Sequence, residues 1–178
     1  VVLGSGGHTG EIVRALQFWN PKKYALRTYV HASDDHISPL KVAEIEEKEQ
    51  TAAKKGKEGF SAVRVVPVTR ARSVGQSWLT TPFTAFKCGL DTLKALRPLP
   101  DVIVCNGPGT AIIVALTGRF LGAVLFKHVG IVYIESFARV ENLSLSGRII
   151  RPFSDKILVQ WPQLLEKYSG LEYIGLLV

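Results

Sequence analysis

The opening stretch Val1–Glu11, with the sequence VVLGSGGHTGE, constrains the fold more than any other feature of the chain. Its three leading apolar residues predict a buried strand, and an apolar periodic run that starts at Ile12 predicts a helix. The four glycines in between can adopt positive φ angles and bring the backbone close to a ligand. Free N–H groups at such a helix start favour phosphate or another anion. The stretch therefore predicts a site for a phosphorylated or nucleotide-like ligand, with a mere tight connection as the alternative.

Strand and helix patterns alternate along the rest of the chain. The predicted strands are Val1–Leu3, Tyr24–Val30, Ala62–Val68, Asp101–Cys105, Ile131–Ile134, Lys156–Val159 and Glu172–Ile174. The predicted helices are Glu11–Trp19, Pro39–Lys55, Pro82–Leu96, Thr110–Leu121, Ser144–Ile150 and Pro162–Tyr168. This repetition predicts an α/β fold, a single Rossmann-like domain over residues 1–178 with a mostly parallel sheet and helices on both faces. The pattern does not give the order of the strands.

The helix predicted at Pro82–Leu96 carries an apolar stripe. The stripe consists of Phe83, Phe86, Leu90 and Leu93, at spacings of three, four and three residues. Because residues at these spacings share one face of a helix, the stripe predicts a face buried in the core. The preceding segment, residues 69–82, has no periodicity and is long for a connection without secondary structure. We predict that it is a mobile loop with a function.

Charge and composition limit the class of partner. Lys and Arg number 22 against 15 Asp and Glu, a net charge of +7 that attracts phosphate, an acidic membrane face or nucleic acid. Aromatic residues interleaved with basic ones along a strand, the usual sign of RNA binding, are not evident. The two cysteines, Cys88 and Cys105, form no disulfide framework and fit a reducing compartment. The longest apolar region, Ala111–Phe126, falls short of the ~20 apolar residues of a membrane span. Because the sequence opens within a strand and lacks methionine, we expect a segment upstream of Val1 to be missing.

Polar residues follow the first six predicted strands, at the sheet edge where ligands bind in open parallel sheets. These residues are His8, Asp34, Asp35, Arg70, Arg72, Asn106, Gly107, Glu135, Ser136, Gln160 and Trp161. The segment Cys105–Thr110 is a second strand–glycine–helix junction, with Thr110 as its predicted N-cap. Two such junctions suit a diphosphate better than a single charge, although Gly-Pro-Gly can equally be a sharp turn.

Four of these side chains are candidates for catalysis or anion binding. A helix N-terminus favours the neutral imidazole of His8, which suits a general base, or His8 caps its own loop. Glu135 is a second candidate base or a ligand for a sugar hydroxyl, unless it pairs with Arg139. Arg70 and Arg72 can grip a pyrophosphate bidentately, or they are solvated surface.

Several known signatures are absent. The first loop is not a strict G-x-G-x-x-G, because Thr9 stands at the third glycine position, and it is not a P-loop, because Glu11 follows the last glycine where Lys is required. There is no G-x-S-x-G elbow, and the histidines and cysteines show no zinc spacing. A dinucleotide-binding oxidoreductase, with Asp34 or Asp35 on the ribose, is therefore a weak alternative.

Several motifs in order resemble those of one family. The loop Gly4–His8 resembles the G-x-G-G-H loop in the amino-terminal half of the bacterial lipid-linked N-acetylglucosaminyltransferase of peptidoglycan synthesis. Five motifs together resemble its eukaryotic counterpart, the membrane-anchoring subunit of the two-part UDP-N-acetylglucosamine transferase of asparagine-linked glycosylation. The five motifs are Gly4–Glu11, Arg72–Ser77, Cys105–Thr110, Tyr133–Arg139 and Val159–Pro162. The resemblance covers almost the whole chain.

The resemblance implies half of a GT-B glycosyltransferase, in which two Rossmann-like domains on separate chains face each other across a cleft. This chain resembles the acceptor half, and a soluble partner subunit supplies most of the UDP-N-acetylglucosamine site. The pair adds the second N-acetylglucosamine to N-acetylglucosaminyl-diphospho-dolichol on the cytosolic face of the endoplasmic reticulum membrane. We expect an inverting transfer without metal or cofactor, and an amino-terminal membrane helix that the given sequence lacks.

The expected site residues fall into four groups. The candidate bases are His8 and Glu135. The expected acceptor and diphosphate ligands are Gly4, Ser5, Gly6, Gly7, Thr9, Arg70, Arg72, Asn106, Gly107, Gly109 and Thr110. The expected lipid or membrane contacts are Trp78, Leu79 and Phe83, next to Pro82. The resemblance implies partner contacts in the tail, at Tyr173, Gly175, Leu176, Leu177 and Val178. A non-catalytic scaffold that only anchors the partner is the main alternative.

Overall fold

The computed structural model describes residues 1–17, 23–24, 26–55 and 62–177. Trp19, Ala25 and Val178, which the sequence analysis assigned to a helix, a strand and the tail, lie outside these ranges. The helices are α1 (Gly7–Leu16), α2 (Ser38–Lys55), α3 (Thr81–Ala95), α4 (Gly109–Val124), α5 (Leu145–Ile150) and α6 (Gln163–Lys167), with a 3₁₀ turn at Arg151–Phe153. The strands are β1 (Leu26–Ala32), β2 (Ala62–Val68), β3 (Val102–Asn106), β4 (Gly130–Ile134), β5 (Lys156–Val159) and β6 (Leu171–Tyr173).

The strands form two parallel groups that the first residues of the chain join. β1 pairs with β2, and β3, β4, β5 and β6 pair in that order. Val2 lies between the groups and bridges in parallel to Val30 of β1 and Cys105 of β3. The spatial order is therefore β2–β1–Val2–β3–β4–β5–β6, and strand order reverses at Val2. The predicted α/β class with a parallel sheet is confirmed, and the structure adds the strand order.

Buried apolar side chains form a cluster on each face of the sheet. Val2 and Val30 belong to one cluster, whereas their neighbours Leu3 and Tyr29 belong to the other. Because successive strand residues point to opposite faces, the two clusters lie on the two sides of the sheet. α1 and α2 pack together, as do α3 and α4. Helices therefore cover both faces, as the sequence predicted.

Small residues let α4 approach the sheet closely. A Cβ at Gly118 would overlap Cδ1 of Ile103 in β3 and lie 3.1 Å from Cδ1 of Leu96. One turn later, a Cβ at Gly122 would overlap the carbonyl oxygen of Lys127. These contacts fix α4, and with it the helix start that forms part of the site.

The apolar stripe of α3 is not buried, so the prediction of a core face is wrong. Phe83, Phe86 and Leu90 are exposed, and Leu93 is half-buried. The buried residues of α3 are Cys88, Thr92 and Ala95. These smaller residues also recur at helical spacing, and they let α3 lie against α4, where a Cβ at Gly89 would lie 3.8 Å from Oγ1 of Thr117. The periodicity was correct, but the helix buries its small face and exposes its aromatic face.

Candidate functional site

The first glycine turn, residues Gly4–Gly7, leads from Val2 into α1 at the reversal of strand order. Gly6 has a φ of +68°, which glycine adopts without strain. The helix begins at Gly7 rather than at the predicted Glu11, and its cap residue offers no side-chain hydrogen bond. The N–H groups of the first helical turn therefore remain available to an anion.

The second glycine turn, residues Asn106–Gly109, leads from β3 into α4. Gly107 has a φ of +96°, and the N-cap is Pro108, which also makes no side-chain cap bond. The predicted N-cap Thr110 is wrong, since this residue lies inside the helix. Its hydroxyl oxygen instead accepts a hydrogen bond from the backbone N of Ala71 at 3.1 Å. Thr110 thus ties the segment after β2 to the start of α4.

His8 joins the two glycine turns. A Cβ at Gly4 would lie 2.6 Å from Cβ of His8 and 3.0 Å from the carbonyl oxygen of Asn106. A Cβ at Gly107 would lie 3.0 Å from Cγ of His8. The half-buried His8 side chain therefore sits where only glycine leaves room on both sides. The two helix starts lie side by side, with an imidazole between them.

The side chain of Thr9 faces the interior rather than a ligand. Thr9 is 1% exposed, and its hydroxyl bonds the carbonyl oxygen of Gly4 and shares a 2.5 Å contact with Oγ of Ser38. These contacts hold the first glycine turn against the start of α2. A direct ligand contact through the side chain of Thr9, as the sequence suggested, does not fit this arrangement.

Arg70 reaches the first glycine turn from the end of β2. Its Nη1 donates to Oγ of Ser5 at 3.0 Å, and its Nε donates to both carboxylate oxygens of Asp34 at 2.9 and 2.7 Å. The Arg70 hydrogen bond holds the pKa of Asp34 below its usual value. Arg70 thus places a partly exposed positive charge beside the turn.

The two aspartates that could have bound a ribose are both engaged. Asp34 pairs with Arg70, and Asp35 accepts from the backbone N of Ile37 and of Ser38 and from the Ser38 hydroxyl. Burial raises the pKa of Asp35, but the hydrogen bonds from Ser38 and Ile37 outweigh it and the net pKa is lowered. Asp35 therefore caps the start of α2, which argues against the oxidoreductase alternative.

Arg72 lies in the segment 69–82 rather than at the glycine turns. Its guanidinium carbon lies 3.8 Å from the ring centre of Trp78, and Nη2 donates to the backbone O of Gln76 at 3.1 Å. Gln76, which the sequence analysis did not single out, also accepts from the backbone N of Ser73 and donates to Thr80 and Thr84. The segment is thus a series of hydrogen-bonded turns. Its mobility stays a prediction.

Exposed apolar side chains line this segment and the adjoining helix. We call Trp78, Leu79, Phe83 and Phe86 the aromatic patch; they are 64%, 86%, 78% and 70% exposed. The hydroxyl of Thr84 donates to the backbone O of Ala71 at 2.7 Å, and Ala71 donates to Thr110. The patch therefore adjoins the start of α4 and the second glycine turn.

Glu135, the second candidate base, is fully engaged by its own loop. It is 1% exposed, and Oε1 accepts from the backbone N of Ser136 at 2.9 Å. Oε2 accepts from the backbone N and the hydroxyl of Ser144, both at 2.9 Å. Glu135 thus pairs with these serines rather than with Arg139, and its contacts favour a structural role in the loop before α5.

Glu11 is a buried residue of the site that the sequence did not point to as a candidate. Its buried carboxylate accepts from Nδ2 of Asn106 at 2.6 Å, from Oγ of Ser136 at 3.0 Å and from the backbone N of Phe137 at 3.2 Å. It joins α1 to the carboxyl ends of β3 and β4. The available signal was an acidic residue directly before Ile12, on the buried face of the helix.

Part of the tail packs on its own chain. Leu177 is buried, and its backbone N donates to Oε1 of Gln160 at 2.8 Å. Gln160 in turn donates to the backbone O of Glu135 at 3.1 Å. Tyr173 and Leu176 are 49% and 52% exposed. Among the expected partner contacts, Tyr173 and Leu176 are therefore accessible to another molecule. Leu177 is buried and holds the tail against the domain.

Within the described ranges, no group of three or more His, Cys, Asp or Glu side chains is placed to hold a metal ion. In the same residues, none of the helices has the length and hydropathy to cross a bilayer. Burial raises the pKa of the Cys88 thiol to about 11 and that of Cys105 to about 12, so neither is a reactive nucleophile.

The parallel sheet, its reversal at Val2 and the two adjacent helix starts define a Rossmann-like domain of the kind that forms one half of a GT-B fold. The chain matches the crystal structure of MurG from Acinetobacter baumannii with a TM-score of 0.61 over 98% of its length, at 12% sequence identity. The match covers 43% of the MurG chain. At this identity the likeness establishes the fold, and the predicted GT-B half is confirmed.

The sequence belongs to the Alg14 family. The family described as "Oligosaccharide biosynthesis protein Alg14 like" matches residues 1–177. The UDP-N-acetylglucosamine transferase subunit alg14 of Schizosaccharomyces pombe is 47% identical, over 99% of this chain and 81% of its own length. The subunits named ALG14 from Mus musculus and Homo sapiens are 41% and 39% identical, over 100% of this chain and 82% of theirs. The family resemblance predicted from the five motifs is confirmed.

Proposed function

We propose that this chain is the acceptor-binding subunit of a heteromeric UDP-N-acetylglucosamine transferase. The complex adds the second N-acetylglucosamine to N-acetylglucosaminyl-diphospho-dolichol. The names of the relatives support a transferase and the role of a subunit. The observation that carries the proposal is the junction of two glycine turns at His8, because two adjacent helix starts suit two linked phosphates.

The acceptor diphosphate binds mainly to backbone N–H groups. The starts of α1 and α4 each leave these groups without a side-chain cap, and Arg70 adds a positive charge beside Ser5. The hydroxyls of Thr9 and Thr110 are engaged elsewhere, so they hold the turns rather than touch the phosphates. Arg72 lies against Trp78 and Gln76 in the segment 69–82 and not at the turns. The residues that contact the diphosphate directly in this proposal are therefore Gly4, Ser5, Gly6, Gly7, Arg70, Gly107 and Gly109.

His8 is the general base of an inverting transfer. The 4-hydroxyl oxygen of the acceptor sugar bonds to the anomeric carbon of the donor while the bond from that carbon to the UDP oxygen breaks. The hydroxyl proton passes to His8, and UDP leaves as the anion. A partly exposed imidazole between two diphosphate-binding turns is within reach of the first sugar. Glu135 is a poorer candidate because its carboxylate is fully engaged.

The aromatic patch contacts the lipid or the bilayer, on the cytosolic face of the endoplasmic reticulum membrane. Large apolar side chains that are more than half exposed mark an interaction surface. The patch adjoins the second glycine turn, so a lipid chain leaving the diphosphate would pass over it. The net charge of +7 favours an acidic membrane face.

The soluble partner binds the donor UDP-N-acetylglucosamine and docks on the exposed part of the tail. Tyr173 and Leu176 offer that surface, and Gly175 between them has a φ of +78°. The transfer requires neither a metal nor a cofactor from this chain, and the chain has no activity without the partner.

The test is His8→Ala in the complex with the partner subunit, assayed on an N-acetylglucosaminyl-diphospho lipid. Loss of a general base typically costs ~10²-fold or more in turnover, while partner binding should stay unchanged. His128→Ala is the matched control, because His128 is exposed and lies before β4, at the far end of the sheet. Turnover of His8→Ala within about threefold of wild type would exclude His8 as the base. If variants of the glycine turns also keep full turnover, the chain is a scaffold only.

A further inference from the structure

Glu11 is a buried carboxylate that the proposed reaction does not use. It is 9% exposed and accepts three hydrogen bonds, from Asn106, Ser136 and the backbone of Phe137. A buried charge is costly unless it is paired or hydrogen-bonded, and here the three donors compensate the carboxylate. Glu11 lies on α1, the helix that also carries His8. Its carboxylate bonds residues at the carboxyl ends of β3 and β4.

The contact with Glu11 determines the orientation of the Asn106 amide. An ionised carboxylate can only accept hydrogen bonds, so it must face the amide nitrogen Nδ2, as it does at 2.6 Å. The amide oxygen Oδ1 is then turned the other way. Asn106 is fully buried, and its Oδ1 has no hydrogen-bond partner among the described residues.

A second buried polar atom without a partner belongs to His8. In the described part of the chain, Nδ1 of His8 makes no hydrogen bond either. The two residues are close, since the His8 side chain packs on Gly107 and on Gly4, and Gly4 also faces the carbonyl oxygen of Asn106. A histidine that takes up a proton on Nε2 carries its hydrogen on Nδ1, and that N–H needs an acceptor to fix the ring.

We propose that Glu11 is a positioning residue that turns the Asn106 amide so that Oδ1 accepts from Nδ1–H of His8 in the working complex. The bond fixes the tautomer and leaves Nε2 to take the proton of the acceptor hydroxyl. Catalytic hydrogen bonds are often long before substrate binds and tighten in the complex, so a rotation of the imidazole on substrate binding completes this one. This inference rests on the proposed role of His8 as the base.

Glu11→Gln tests the orientation directly. The glutamine Oε1 can still accept from Ser136, and its Nε2 can donate to Oδ1 of Asn106 once that amide turns over. The fold is kept, but Asn106 now presents N–H to His8. In the double variant Glu11→Gln/Asn106→Asp, the aspartate accepts from the glutamine and again presents an oxygen to His8. Glu44→Gln is the matched control, since Glu44 is an exposed carboxylate that pairs with Lys48.

Each variant is assayed for kcat, KM and Tm in the complex with the partner subunit. Losing the partner that orients a functional side chain typically costs 10- to 100-fold, so Glu11→Gln should lower kcat by about that factor with KM within about threefold. The double variant should recover to within roughly threefold of wild type. In a His8→Ala background, Glu11→Gln should lower the residual rate by less than about twofold, because both changes remove the same function.

Two results would overturn the proposal. One is a full, multiplicative effect of Glu11→Gln in the His8→Ala background, which would mean that Glu11 does not act through His8. The other is a double variant with a wild-type Tm and no recovered turnover. If His8→Ala alone keeps wild-type turnover, His8 is not the base and the proposed function fails. That result can be told apart from the two results that overturn the role of Glu11. A loss of Tm in Glu11→Gln does not remove the test, because the double variant restores the complementary pair.

Discussion

Gly4→Ala is the perturbation whose effect follows most directly from the packing of His8. An added Cβ would lie 2.6 Å from Cβ of His8, whereas ordinary van der Waals contact begins at 3.4 Å. His8 must therefore move by about 0.8 Å, which is the difference between these two distances. On its other side the backbone oxygen of Asn106, at 3.0 Å from the same Cβ, cannot yield easily.

The displacement should affect both stability and turnover. Overpacking of this kind typically costs about 1–3 kcal/mol in the free energy of unfolding. For a domain of this size, that loss corresponds to a fall in Tm of roughly 2 to 12 °C. A misplacement of about 1 Å in a catalytic group can cost ~10²-fold, so turnover should fall by about that factor if His8 is the base.

The assay compares Gly4→Ala with Gly10→Ala by thermal unfolding and by turnover in the complex. Gly10 lies inside α1, its φ is not positive, and a Cβ there would meet nothing within 4 Å. Alanine is preferred to glycine in a helix by roughly 0.8–1 kcal/mol, so Gly10→Ala should raise Tm and keep turnover. A Gly4→Ala protein with wild-type Tm and turnover would refute the packing argument.

Three further predictions test other parts of the structure. Gly118→Ala should lower the free energy of unfolding by about 1–3 kcal/mol, because its Cβ would overlap Ile103, and chemical denaturation should show this loss. The Arg70 hydrogen bond lowers the pKa of Asp34 in the folded state. The pair therefore stabilises the fold at pH values above the unfolded pKa of ~3.9, and this stabilisation is lost as the pH falls through the lower pKa of the folded state. Because the pair is partly solvated, Asp34→Asn should lower the free energy of unfolding by less than about 1 kcal/mol at pH 7 and by nothing at pH 2. Urea titrations at the two pH values measure this, and an equal loss at both would contradict the prediction. Phe83→Ser should reduce binding to acidic phospholipid vesicles without lowering Tm. Phe126→Ser, at a fully exposed side chain just past the carboxyl end of α4, should leave vesicle binding unchanged.

The fold class could be predicted from local pattern alone. Six of the seven predicted strands became parallel strands, whereas the predicted strand Val1–Leu3 is reduced to isolated parallel bridges of Val2. The strand–helix repetition gave the α/β class. The strand order could not be predicted, because it depends on which strands Val2 joins, and that is decided by long-range pairing. The start of α1 was missed by four residues, since glycine at positions 7 and 10 weakens the helical signal although the backbone there is helical.

The stripe on α3 shows where pattern reading fails. Hydrophobic periodicity identifies a face but not the side to which the face turns. Cys88, Thr92 and Ala95 form a second stripe at the same period, and their small size lets α3 lie against α4. The aromatic face of α3 is therefore exposed, where it can contact a membrane or another molecule. Only the packing distance between the two helices distinguishes these arrangements.

The candidate site was predicted by position but not by role. Loop positions at the strand ends correctly located His8, Arg70 and Asn106 at one edge of the sheet. The partners of each side chain depend on contacts that sequence spacing does not encode. Glu11 and Ser136, for example, are 125 residues apart and share a hydrogen bond.

The central claim is that the two glycine turns form one diphosphate site around His8. The most direct test is an NMR titration of the ¹⁵N-labelled chain, in complex with its partner subunit, with a short-chain N-acetylglucosaminyl-diphospho-isoprenoid. The account predicts that the amide signals of Gly4–Gly7 and of Asn106–Gly109 shift together with one shared Kd. Shifts confined to one turn, or two turns that saturate at different concentrations, would contradict it.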